Sequence, residues 1–152
     1  MQELVNQLTA SDIKEKTVLA IFDTTYLNFE RNKDKLDLNS PHIGYLNKTQ
    51  GIGFGFHPAL LVSPATGLPL GMGACEFQVR PFGQELTPYK SRPPQEREST
   101  KWFSCLEGTR AALPADCHLI AVCDREADLF DFINQAKRLP NTDVVVRVAR
   151  DR

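Results

Sequence analysis

Residues 119–128 spell Leu119-Ile120-Ala121-Val122-Cys123-Asp124-Arg125-Glu126-Ala127-Asp128. Five apolar residues in succession carry no alternation, so a strand covered on both faces is expected, as at the centre of an α/β sheet. The run stops at a carboxylate, and the acidic residues that follow suit the positive first turn of a helix. A helix is therefore expected from Arg125 to Arg138, with Leu129, Phe130, Ile133 and Ala136 on its buried face. A stretch of the same design stands near the start of the chain. Thr17-Val18-Leu19-Ala20-Ile21-Phe22 ends at Asp23 and continues in extended fashion through Thr24-Thr25-Tyr26-Leu27-Asn28-Phe29.

Between these stretches, residues 30–53 are charged and then rich in Pro and Gly, which predicts a long loop. Strands are expected near 54–62 and 69–79, joined by the turn Ser63-Pro64-Ala65-Thr66-Gly67 as an antiparallel hairpin. Pro58 removes a donor from the first of them, so an edge or bulge is expected there. Residues 80–93 read as a polar loop, and Pro94 as the first residue of a helix reaching Leu113 with Trp102, Phe103 and Leu106 inward. Residues 2–14 carry a weak helical stripe, and a last strand is expected over 143–149. The order strand, strand, strand, helix, strand, helix, strand predicts one domain over residues 1–152. Its fold would be α/β, a five-stranded mixed sheet flanked by helices in the ribonuclease H-like order.

Composition narrows the function. With 41% hydrophobic and 24% charged residues the chain has the makings of a packed core and is not of the disordered class. A net charge of −1 excludes a surface that binds nucleic acid all over, so any DNA contact must be local. No apolar run spans a bilayer and no signal peptide opens the chain, so a cytoplasmic protein with no membrane partner is expected. Cys75, Cys105, Cys117 and Cys123 form no C-x-x-C pair, which points to buried reduced thiols in place of a zinc site.

Asp23 and Asp124 are the residues on which chemistry would rest. If their strands are neighbours, two carboxylates converge beside the sheet and repel. A divalent cation relieves that repulsion, and oxygen ligands favour Mg²⁺ or Mn²⁺. The reaction such a pair serves is two-metal phosphoryl transfer. Each aspartate also has an ordinary structural explanation, Asp124 as the cap of the following helix and Asp23 as the start of a turn with Thr24 and Thr25. Glu126 and Asp128 either assist Asp124 or form a solvated turn. Arg125 either meets phosphate or pairs with a neighbouring acid. His57 reads as a satisfied core or edge histidine more readily than as a ligand. The basic stretch holding Arg80, Lys90, Arg92, Arg97 and Lys101 is diluted by Glu85, Glu96 and Glu98, and Arg147, Arg150 and Arg152 form a cluster near the chain end. The alternation of Gly51, Gly53 and Gly55 fits no nucleotide-binding loop.

The DREAD of Asp124–Asp128, together with Asp23-Thr24-Thr25, resembles the DDE transposases of the bacterial insertion-sequence-four family. Gly51-Ile52-Gly53 with His57, Gly67-Leu68-Pro69-Leu70-Gly71 and Arg97-Glu98-Ser99-Thr100-Lys101-Trp102 are similar to further segments of that family, in the same order. The resemblance covers residues 17–149. It implies DNA cleavage and strand transfer in cut-and-paste transposition, with Asp23 and Asp124 as the first two metal ligands and Mg²⁺ (or Mn²⁺) as cofactor. Implied partners are DNA, as transposon ends and target, and a second copy in a full-length homodimer. Arg125, Lys101, Arg147 and Arg150 would be the DNA contacts. The third ligand would be a glutamate within Y-x-x-R-x-x-x-E-x-x-x-x-x-x-K, and no such pattern occurs in the chain. The chain is therefore expected to be a catalytic-core fragment, ending before an inserted region and the final catalytic helix and inactive alone. The alternatives are a non-catalytic remnant that binds DNA or a partner, and a ribonuclease H-like nuclease completed by Glu126 or Asp128.

Overall fold

The computed structural model describes residues 13–46, 51–80, 82–83 and 99–148. Seven strands form one mixed sheet: β1 (Thr17–Phe22), β2 (Thr25–Asn28), β3 (Gly44–Leu46), β4 (Gly51–Val62), β5 (Pro69–Gln78), β6 (His118–Cys123) and β7 (Thr142–Val146). Helix α1 (Thr100–Ala112) links β5 to β6, and a 3-10 turn (Arg125–Ala127) followed by α2 (Phe130–Ala136) links β6 to β7. The protein is thus an α/β structure with a mixed sheet flanked by helices.

The long strand β4 organises the antiparallel half. It pairs with β1, β2, β3 and β5, all antiparallel. β1 pairs parallel with β6, and β6 parallel with β7. The hairpin of β4 and β5 forms as its turn residues predict, and the pairing slips between Pro58 and Leu60, where proline interrupts the ladder.

Five expected strands become seven among the described residues, for two reasons. The extended stretch 17–29 is one run in register but breaks at Asp23 and Thr24. Phe22 pairs with Ala59 and Thr25 with Phe56, so Asp23 falls opposite Pro58, which has no N–H to give. The supposed loop 30–53 contains β3, held on β4 and by a hydrogen bond from the Tyr45 N–H to the Arg80 carbonyl, together with a kinked 3-10 helix over Glu30–Lys35. The expected helix 125–138 also changes. Its first turn is 3-10, Leu129 is extended, and the α-helix starts only at Phe130. That break shifts the helical phase, so Phe132 and Ala136 face the core while Phe130 is exposed. The last strand ends at Val146, short of residue 149.

One core lies between the sheet and the two helices. Val18, Ala20 and Phe22 of β1, Ala59 and Leu61 of β4, and Leu119, Ala121 and Cys123 of β6 meet Trp102, Cys105 and Leu106 of α1 and Phe132 and Ala136 of α2. Trp102 stands at its centre, its ring against those of Phe22, His57 and Phe132. The other face is more open than the unbroken apolar runs suggested: Ile21, Leu60, Phe77 and Val145 are exposed there. Helix α1 seats close to β5, because a Cβ on Gly73 would stand 2.7 Å from the Thr109 side chain. The Thr109 hydroxyl occupies that seat, donating to the Cys105 carbonyl and accepting the Ala74 N–H. Beyond α1, the buried Arg110 guanidinium donates to the carbonyls of Leu113, Pro114 and Cys117 and fixes the corner into β6. All four cysteines are buried and none is in a disulfide among the described residues, in keeping with the buried thiols expected from their spacing. No described helix is long and apolar enough to cross a membrane. The stripe over 2–12, most of the loop over 80–93 and the start of the helix expected at Pro94 lie outside the described residues.

Candidate functional site

The parallel pairing of β1 with β6 places the ends of the two strands that precede the aspartates at one edge of the sheet. Thr17 pairs with His118 and Ile21 with Val122, and Asp23 and Asp124 are the residues that directly follow the two strands. β7 ends at the same place, its Val146 opposite Cys123 and the Arg147 N–H bonded to the Cys123 carbonyl. The site therefore lies at the carboxyl edge of the three parallel strands, the edge at which open α/β sheets bind ligands.

Both carboxylates are exposed, and both are held by one oxygen. Asp23 Oδ1 accepts the N–H of Thr24 at 2.8 Å, and Asp124 Oδ1 accepts the N–H of Glu126 at 2.9 Å. The second bond makes Asp124 the cap of the 3-10 turn, as its structural explanation required, though the turn is 3-10 and not the expected α-helix. Neither Oδ2 has a hydrogen-bond partner among the described residues, so each aspartate keeps one oxygen for a ligand while the other orients it. A pair of carboxylates so arranged suits a hard divalent cation, but it is a partial set. Among the described residues no three of His, Cys, Asp and Glu gather as a metal cluster.

Of the basic residues considered for DNA, Arg125 and Arg147 are exposed at this edge. Lys101 is different. It is buried in the first turn of α1, its Nζ lies 3.4 Å from Glu126 Oε2, and it stands over the Trp102 ring. Its charge is directed to Glu126, which links α1 to the turn carrying Asp124. Glu126 in turn is engaged by Lys101 and does not join the aspartates in a three-carboxylate cluster. Arg150 lies outside the described residues, as do Lys90, Arg92, Arg97 and Arg152.

His57 is a core histidine, as its sequence context indicated, and it lies next to this edge of the sheet. It is wholly buried on β4, directly opposite Thr24, and its Nδ1 lies 2.9 Å from Thr24 Oγ1. Burial foremost, then the charge of Lys101, lowers its pKa from 6.5 to about 4, although the Asp23 backbone acts to raise it. The ring is therefore neutral near pH 7. Its Nε2 is buried without a hydrogen-bond partner among the described residues. The nearby thiols play no nucleophilic part: burial, and next the Asp124 carboxylate, push Cys123 up to about 12. No family model matches the chain, and no curated protein matches it.

Proposed function

We propose that the chain is a portion of a DDE transposase catalytic core with a ribonuclease H-like fold, in which Asp23 and Asp124 are two ligands of a divalent-metal site for DNA phosphoryl transfer. The observation that supports this reading is the parallel pairing of β1 with β6, two adjacent strands each followed directly by an aspartate, so that two residues far apart in sequence share one edge of the sheet. The sheet order and mix of directions are compatible with that fold, and the sequence resemblance supplies the reaction.

Bound Mg²⁺ or Mn²⁺ supplies charge neutralisation and activation of the attacking water or 3′-hydroxyl. The chain's own part is positional. Backbone N–H groups at Thr24 and Glu126 fix one oxygen of each aspartate, and the other remains for the ion. Arg125 and Arg147, both exposed near this edge, would be the contacts for a DNA phosphate. Lys101 steadies Glu126 and the turn below Asp124 from within the core. A third carboxylate, which the resembled triad requires, has no counterpart in the sequence, and the pairing of Glu126 with Lys101 disfavours a self-contained nuclease.

The test is Mn²⁺ binding followed in wild type, Asp23→Asn and Asp124→Asn, alongside plasmid nicking. Wild type should bind Mn²⁺ weakly, either substitution should abolish that binding, and supercoiled plasmid should stay intact. Nicking by the chain alone that vanishes in Asp124→Ala would overturn the incomplete-site reading in favour of a nuclease. Mn²⁺ binding that survives both substitutions would place the ion elsewhere.

A further inference from the structure

We infer that His57 is a positioning residue for the metal site: through Thr24 it fixes the direction of the Asp23 carboxylate. This rests on the proposed role of Asp23 as a metal ligand. The inference starts from a defect in the sheet. β1 and β2 run in one register along β4, yet the ladder lapses at Asp23 and Thr24, where Pro58 cannot donate. A backbone freed at that point would let Asp23 wander, and a metal ligand needs a fixed direction.

The side chain of His57 occupies the gap. Opposite residues on antiparallel strands interact directly, and here Thr24 Oγ1 meets His57 Nδ1 at 2.9 Å. Thr24 then gives its own N–H to Asp23 Oδ1 at 2.8 Å. The chain of bonds runs from a buried ring, through a half-buried hydroxyl residue, to an exposed carboxylate. The ring itself is immobilised. Phe22 stacks beside it at 5.9 Å and Trp102 meets it edge-on at 4.4 Å, with ring centroids as reference. Its Nε2 is buried beside the rings of Phe22 and Trp102 without a hydrogen bond to any described residue. An imidazole kept there at the expense of an unsatisfied nitrogen has its reason at the other nitrogen. Asp124 needs no such support, because its capping bond to Glu126 holds it within its own turn.

The test measures Mn²⁺ affinity in five proteins: wild type, Asp23→Asn, Thr24→Val, His57→Phe and His57→Asn. Valine keeps the shape of threonine and phenylalanine keeps the ring, while each deletes the link. Asparagine returns a polar atom near the place of Nδ1. Loss of a residue that orients a metal ligand weakens binding about tenfold or more, so Thr24→Val and His57→Phe should each lose about tenfold, and His57→Asn should recover most of it. A merely structural role would not give that recovery, since asparagine fills the core worse than phenylalanine. If Thr24→Val binds Mn²⁺ as wild type does while Asp23→Asn does not, the positioning role is overturned and the metal site stands. If wild type shows no binding that depends on Asp23, the functional reading fails and takes the inference with it. Thr24→Val alters a half-buried position only, so it decides the matter even should His57→Phe fail to fold.

Discussion

His57 sits where a charged imidazole would have no water, between the rings of Phe22 and Trp102. Its folded pKa of about 4 lies below the value of 6.5 it regains on unfolding. Between those two values the unfolded chain binds the extra proton, so stability is complete above pH 6.5 and falls as the pH drops toward 4. The ceiling of that loss is about 3 kcal/mol. Urea midpoints taken at pH 7 and pH 4.5 should therefore fall further for wild type than for His57→Phe, whose ring does not titrate. Parallel losses in the two proteins would refute the assignment. Asp124 allows a second test on the single-residue level, because its cap and its proposed ligand role separate. In metal-free buffer Asp124→Ala should cost about 1 kcal/mol, the ordinary worth of a capping bond, and Asp124→Ser should cost much less. Equal stability of all three would mean that the bond to the Glu126 N–H contributes nothing measurable.

Helix α1 is held on the sheet by close approach as much as by apolar area. A Cβ on Gly73 would press on the Thr109 side chain, which is committed to two hydrogen bonds, and a Cβ on Gly108 would lie 2.9 Å from Ala74 Cβ. Gly73→Ala should therefore destabilise the protein by about 1–3 kcal/mol, despite the gain in strand propensity, as overpacked contacts do. Thermal unfolding checks it, and a rise in midpoint would show that α1 can shift outward. Neither seat can be anticipated from sequence, since it depends on which residues meet across elements. What could be anticipated were β1 and β6, whose apolar runs ending in aspartate state both the strand and its end. β3 is three residues long and carries no pattern, so it escaped. The turn at Asp124 misled because a capping aspartate looks the same before a 3-10 turn and an α-helix. The link between Thr24 and His57 needed a cross-strand register that sequence does not print, although Pro58 marked the place where the ladder would fail.

Taken as a whole, the protein has one dense face and one open one. Trp102→Ala, which empties the centre of the core, should cost about 3–5 kcal/mol, whereas Ile21→Thr, Leu60→Thr and Phe77→Thr should each change stability by less than about 1 kcal/mol. Urea unfolding of the four variants measures the asymmetry, and losses at Leu60 or Phe77 as large as that at Trp102 would contradict it. The parallel pairing of β1 and β6 also sets a timetable. During synthesis β1 can meet β4 once residue 62 has emerged, but its opposite edge stays bare while residues 63–117 are made. A bare strand edge is a template for other chains, and the long separation makes its closure slow. The two aspartates follow paired strands only once that edge is shut. Any nascent polypeptide released before Asp124 thus lacks half of the proposed carboxylate pair and leaves one edge of β1 bare, so completion of the pair coincides with the covering of that edge.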